Sequence, residues 1–251
     1  MERSEIYKHI NDSANYYLRL LGEAEHMEFT DNGYYAMTRP KSGDKCGTSV
    51  FNIRLEQLTD VELKQKVEEI KALDLHTWWG FNLSERMAEA IWPDHTEAES
   101  LPEPNDEEAC LAVLPEQWPA FRETEESITV TRVADASDFK IWADLNNRIM
   151  HGGYPVMHPD NHYHLCESGI IDCYIANYNG VPAAVCSIMN NGDISSLEFV
   201  ATSEEYRRQG LAAEVCIEAI NSAFSQGAQI ISTRGFGHSK KLFKKLGFTV
   251  Y

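Results

Sequence analysis

The chain has no apolar run approaching the about 18 residues a membrane span needs, so nothing in it is expected to cross a bilayer. No Cys-x-x-Cys pair occurs among its six cysteines. Cys46, Cys110, Cys166, Cys173, Cys186 and Cys216 are scattered, as buried reduced thiols are. The first residues, Met-Glu-Arg-Ser-Glu, lack the basic and apolar regions of a signal peptide. These absences point to a soluble, cytoplasmic protein. Positive charge is also scarce: 22 Lys and Arg stand against 39 Asp and Glu, a net charge of −17. Such a surface repels a phosphate backbone, which argues against a nucleic-acid partner. It would attract a cationic amine, or simply keep the protein in solution. The acidity is uneven, with 11 basic and 24 acidic side chains over residues 1–120 and 11 and 15 over 121–251.

What the chain does have is enough apolar material for a core. At 251 residues, 43% hydrophobic and 10% aromatic, it reads as globular, with room for two domains of about 120 residues. The most informative stretch runs from Phe199 to Ala213. An apolar strand ends at a polar turn, and Arg207-Arg-Gln-Gly-Leu-Ala212 then opens a helix. Gly210 has no side chain to keep a ligand from the backbone, and the helix start offers unpaired N–H groups and the positive end of a dipole. Strand, loop and helix start make an anion site suited to a diphosphate, to which Arg207 and Arg208 add planar donors.

Arg207-x-x-Gly210-x-Ala212 after a strand resembles the acyl-CoA pyrophosphate signature of the GNAT acetyltransferase superfamily. Downstream, Leu-Phe-Lys-Lys-Leu-Gly-Phe, ending at Phe248, resembles the closing motif of the same family. The resemblance covers 128–251, roughly the C-terminal half. It implies an acyl-CoA N-acyltransferase-like fold, α/β in class, with a mixed, mostly antiparallel sheet flanked by helices. It implies acetyl-CoA as acyl donor, no metal, and transfer to a primary amine of a small molecule or peptide by direct attack in a ternary complex. The alternative is a non-catalytic acyl-CoA-binding sensor. Cofactor contacts are expected from Phe199, Val200, Ala201 and Thr202 along the thioester, and from Arg207, Arg208, Gln209, Gly210, Leu211 and Ala212 around the diphosphate. A homodimer is compatible with this reading.

Periodicity gives strands over 128–133, 172–177, 182–189 and 195–201, with hairpin turns at Asn179-Gly180 and Asn190–Asp193. A helix capped by Asp135 or Ser137 is expected to run to about Met150, with a short helix over 161–167, and parallel strands should flank the two C-terminal helices. In the first half, 5–21, 59–73 and 84–91 read as helices, and 33–37, 49–55, 76–81 and 109–114 as strands. Residues 97–108, rich in Pro and acid, should form an exposed loop. The Trp78-Trp79 pair and Cys-Leu-Ala-Val-Leu-Pro, ending at Pro115, are similar to tandem-type GNAT proteins with a degenerate N-terminal half. That implies domains at 1–120 and 127–251, joined by a linker near 118–127. Trp78 to Phe81 reads first as a buried strand, with Trp79 and Phe81 on one face, and second as an aromatic cage for a cation.

A base for amine attack is sought on the strand before the loop. Glu198 is the only charged side chain from Ile194 to Thr202. Parity puts it opposite Leu197, Phe199 and Ala201, where partial burial would raise its pKa; a solvent-facing carboxylate is the competing reading. The family's customary Leu-Tyr pair is Leu242-Phe243 here, so the usual proton donor is missing; its customary Asn is missing too, with Phe236-Gly237 near its place. His238 is a weak candidate for the acid. Acceptor specificity is expected from Arg148, His151 and Tyr154. The run His158-x-x-x-His162-x-His164 lies nearby, without a Cys or carboxylate placed to complete a metal signature. Arg234, Lys240, Lys241, Lys244 and Lys245 form one basic stretch, which either meets the 3′-phosphate of CoA or is a solvated face.

Overall fold

The computed structural model describes residues 2–43, 45, 47–81, 83–93, 108–119 and 126–251. The chain divides into two compact units, one of Met1–Ser13 with Glu108–Tyr251 and one of Ala14–Glu107. Helix α1 (Arg3–Leu21) contributes to both. Most of the loop expected over 97–108, the core of the linker expected near 118–127, and Cys46 lie outside the described residues. Among the described residues, Cys110, Cys166, Cys173, Cys186 and Cys216 are free thiols.

The smaller unit holds a four-stranded sheet in the order β1 (Met27–Asp31), β2 (Ala36–Pro40), β3 (Ser49–Phe51), β4 (His76–Thr77). Only the last pair is parallel. Helix α2 (Asp60–Lys71) starts where the sequence expects. Thr59 accepts from Glu62 N–H, and Glu62 reaches back to Thr59 N–H at 2.9 Å, a reciprocal capping box. With α3 (Glu85–Ile91), capped by Ser84, it buries Leu63, Val67, Ile70, Met87 and Ile91 against Val50 and Leu55. Three strand expectations change. Gly33, at φ 87°, is a turn between β1 and β2, so 33–37 is not one strand. The expected strand 49–55 ends at Phe51, before Asn52 at φ 51°. The expected strand 76–81 stops at Thr77; Gly80 sits at φ 91°, and the Trp78 and Phe81 rings meet at 5.7 Å, tilted by 59°, instead of lying on opposite faces.

The larger unit is built on a seven-stranded sheet in the order β11-β5-β10-β9-β8-β7-β6. Its strands are β5 (Ala109–Val113), β6 (Ile128–Arg132), β7 (Ile171–Tyr178), β8 (Val181–Asn191), β9 (Ile194–Thr202), β10 (Ile230–Gly235) and β11 (Thr249–Val250). The hairpin after β7 turns at Asn179 and Gly180, with φ 48° and 83°, the primed geometry that matches strand twist. Helix α4 (Ala136–Met150) begins at Asp135, which accepts from Ser137 and Asp138 N–H at 2.8 and 3.0 Å. Helix α5 (Pro159–Glu167) starts with Pro at its first position, earlier than the expected 161. Helices α6 (Leu211–Ser225) and α7 (Gly237–Lys245) follow β9 and β10. Val215, Cys216, Ala219, Ile220 and Ala223 of α6 pack on Ala184, Cys186, Ile188, Leu197 and Ile231 to form the main core.

The strands that flank α6 and α7 run parallel, as expected: β9 pairs with β10, and β10 and β11 are both antiparallel to β5, which is inserted between them. All five residues of β5 are buried, and its interior place in the sheet pairs both of its edges. The strand therefore belongs to this sheet, although the sequence division at 120 assigns it to the first half.

His162 gives this unit an acid-sensitive point. It is 4% exposed, its Nδ1 donates to the His158 carbonyl at 2.9 Å, and burial pushes its imidazole down to about 4. The unfolded chain takes up a proton near 6.5, before the folded one does, so stability falls as pH drops from about 6.5 to about 4, by about 3 kcal/mol in all. Denaturant midpoints at pH 7.5 and 5 should differ less for His162→Gln than for the wild type; equal differences would contradict this.

Candidate active site

Strand β9 carries one residue more than its neighbour can pair. Val185 faces Ala201 and Ser187 faces Glu198, so three steps on β9 answer two on β8. The extra residue is a β-bulge, and Phe199 adopts φ 55°, a left-handed conformation costing a non-glycine residue about 1 kcal/mol. On the other side, pairing with β10 runs only from Ile194–Ile230 to Ser196–Ser232. Beyond it the Thr233 hydroxyl donates to the Leu197 carbonyl at 2.8 Å, and β10 continues with β5 alone. Beyond Leu197, β9 has no ladder pairing with β10.

The bulge corrects the parity expected for Glu198. Glu198 is opposite Leu197, which lies in the α6-side core, but Phe199 and Ala201 do not share Leu197's face. Ala201 faces Val185, two residues from Ser187, and so lies on the same side as Glu198. Phe199 turns to α4, where its ring meets the edge of Trp142 at 5.8 Å and 86°. Trp142 is fully buried and its Nε1 donates to the Cys186 carbonyl at 2.9 Å. Cys186 lies level with the bulge, but its backbone faces β7, where Tyr174 is its ladder partner, so the indole is a second donor to this carbonyl.

Past β9, Glu204–Tyr206 form a single 3-10 turn before Arg207 and Arg208, which are exposed. Arg208 and Gly210 both take left-handed conformations, φ 65° and 86°, around Gln209, and such alternation turns successive N–H groups inward. Gly210 is the N-cap of α6 and provides no side-chain cap; a Cβ there would find its nearest neighbour at 3.9 Å. The first N–H groups of α6, at Leu211 and Ala212, have no acceptor within their own helix. Thr202, at the end of β9, has a buried hydroxyl without a hydrogen-bond partner among the described residues. Arg207 Nε reaches back to the Thr202 carbonyl at 3.3 Å.

Glu198 is 19% exposed at its side chain, so the solvent-facing reading does not hold. Burial pushes its carboxyl above the usual range; Arg234, 3.8 Å away, opposes the shift, and Glu108 adds to it. Arg234 thus stands apart from the lysines of α7, with which the sequence groups it. His238 is exposed in the first turn of α7. Phe243 is 2% exposed and packs on Phe248 at 5.6 Å, so its position is part of the core.

The three expected acceptor residues are dispersed. Arg148 donates to the Ser203 hydroxyl at 3.1 Å and, with Leu145, Pro182 and Tyr206, lines a cavity of about 410 Å³ that Glu198 does not line. His151 ends α4, its N–H bonded to the Asn147 carbonyl at 3.0 Å, and Tyr154 is 61% exposed. Asn147 clamps the loop that follows α4 by bonding Met157 N–H and carbonyl at 2.8 and 2.9 Å. Among the described residues, no three His, Cys, Asp or Glu side chains are grouped to hold a metal ion.

Residues 139–248 match the family model described as the acetyltransferase (GNAT) family. The larger unit carries a GNAT domain. Solved structures agree at the level of fold, and across most of the chain. A GCN5-related N-acetyltransferase from Kribbella flavida is 16% identical, with a TM-score of 0.60 over 95% of this chain and 91% of that one. A GCN5-related N-acetyltransferase from Sphaerobacter thermophilus is 14% identical, with a TM-score of 0.57 over 88% and 79%. A conserved protein of unknown function from Staphylococcus epidermidis is 12% identical, at 0.57 over 88% and 89%. No curated protein sequence matches the chain. The GNAT resemblance read from residues 207–212 and 242–248 is thereby supported by an independent match over the same region.

Trp142→Phe keeps the ring against Phe199 and removes the second donor to the Cys186 carbonyl. Stability should fall by about 0.5–1.5 kcal/mol, read from denaturant melts. A cost indistinguishable from zero would show that the indole bond adds nothing to the one from β7.

Proposed function

We propose that the GNAT domain is an acyl-CoA-dependent N-acetyltransferase that moves an acetyl group from acetyl-CoA to a primary amine of a small molecule or peptide. The observation that carries the reading is the track from the end of the β9–β10 pairing, past Val200 and Thr202, to the helix start at Gly210, which has no side-chain cap. An extended amide-bearing arm ending in a diphosphate matches that track in chemistry and order. The orphaned Thr202 hydroxyl and the space over Gly210 are what such a ligand would use.

Acetyl-CoA, when bound, supplies an activated thioester and a thiolate that leaves. The chain's own part is to hold and orient it. N–H groups of 208–212 take the diphosphate, backbone of 199–202 aligns the arm, and a backbone N–H beyond the bulge, at Val200, polarises the thioester carbonyl. Glu198 takes the proton from the attacking amine, since burial gives it the raised pKa a base needs. The nearest basic candidate for the departing thiolate, His238, is exposed, and Phe243 has no proton to give, so protonation comes from solvent. Attack is direct, without an acyl-enzyme. The net charge of −17 favours a cationic acceptor, and the protein acts in the cytoplasm. The buried Phe243 favours one competing reading, a domain that binds acyl-CoA without turning it over.

Calorimetric titration of acetyl-CoA, followed by a thiol-release assay over a panel of amines, tests both. The account expects one site per chain and release with some amine. Glu198→Gln should lower kcat by about 100-fold and flatten its rise with pH, while leaving acetyl-CoA affinity within about twofold. Binding without release from any amine would favour the sensor, and no binding would overturn both readings.

A further inference from the structure

Arg234 stands on β10 just beyond the point where that strand leaves β9, and it faces two carboxylates. Its Nη2 lies 3.8 Å from Glu198 Oε2, and its Nη1 lies 3.6 Å from Glu108 Oε1. Both contacts are longer than hydrogen bonds, so neither carboxylate takes the guanidinium fully. Backbone register fixes the arrangement. Glu108 immediately precedes β5, where Ala109 faces Gly235 and Cys110 faces Arg234. The two acids differ in surroundings, with Glu198 19% exposed at its side chain and Glu108 47%.

We infer that Arg234 is a positioning residue for Glu198, and that Glu108 draws the guanidinium partly away so that Glu198 is oriented without being locked as an ion pair. The inference rests on Glu198 as the base of acetyl transfer. A carboxylate fully paired with one cation is a weak base, because a proton would have to displace the cation. A carboxylate only desolvated would hold its proton and take none from an amine. A shared cation avoids both extremes. The charged groups that face Glu198 among the described residues are Arg234, which favours its ionised form, and Glu108, which disfavours it. Ser187, opposite on β8, does not titrate, and Cys110 beside Arg234 stays a neutral thiol, pushed up to about 12 by burial.

The test is a ¹³C carboxyl NMR titration of Glu198 in the full chain, assigned by the signal lost in Glu198→Gln, with the pH profile of kcat/KM measured alongside. In Arg234→Gln the Glu198 midpoint should move to higher pH, and Arg234→Lys, which keeps the charge, should bring it back towards the wild type. In Glu108→Gln it should move to lower pH, because a like charge is gone and Arg234 has one carboxylate fewer. The acid limb of kcat/KM should follow in the same directions, with the KM for acetyl-CoA unchanged. Midpoints that stay in place, or that move the same way in Arg234→Gln and Glu108→Gln, would overturn the inference. Midpoints that shift as stated in a protein that acetylates no amine would keep the shared cation and overturn the transferase reading instead.

Discussion

Three residue steps on β9 answer two on β8, and the larger unit's site depends on that mismatch. A strand in register on both sides would spend all its N–H and C=O groups on neighbours and have none for a ligand. The bulge frees backbone on one side, and the end of pairing at Ser196 and Ser232 frees it on the other. The second break is compensated locally, where Thr233 donates to the Leu197 carbonyl as the sheet opens. The structure thus tolerates the end of the β9–β10 pairing because a side chain takes over a hydrogen bond that the ladder gives up.

Charge placement follows from the same break. Where β10 leaves β9, its Arg234 faces Glu198 across the opening, and β5 brings Glu108 to the other end of the guanidinium. Were β9 and β10 paired throughout, this opening would not exist. Beyond Thr202, the chain changes hand at Arg208 and Gly210 before α6 starts, so the open strand edge and the bare helix start succeed each other within about a dozen residues. Under the proposed function, backbone would do most of the recognising along this stretch.

The strands and helices of the larger unit were legible because their signals are local. Alternation gave β7, β8 and β9, Asn179-Gly180 gave the hairpin, and the pairs Asp135 or Ser137 and Thr59 or Asp60 bracketed two helix starts, of which the structure uses Asp135 and Thr59. The Arg207-x-x-Gly210-x-Ala212 pattern located the helix start because only glycine adopts φ 86° there without strain. What sequence reasoning missed is non-local. Nothing in Phe199 itself announces a bulge, so a strict period of two carried Phe199 and Ala201 to the wrong face. Glu108 and Arg234, 126 positions apart, meet only because β5 inserts beside β10, and the one available hint was a strand apolar on both faces. Arg148, His151 and Tyr154 were grouped by closeness in sequence, whereas the structure ties Arg148 to Ser203 and leaves Tyr154 in solvent.

The central claim, that interrupted backbone from 199 to 212 is the recognition surface, is tested most directly by residue-resolved amide hydrogen exchange with and without acetyl-CoA. The account predicts slowed exchange concentrated at the amides of 199–202 and 208–212, with the fully paired amides of β7 unchanged. Protection absent from those two segments while acetyl-CoA is bound, or confined to the smaller unit, would contradict it.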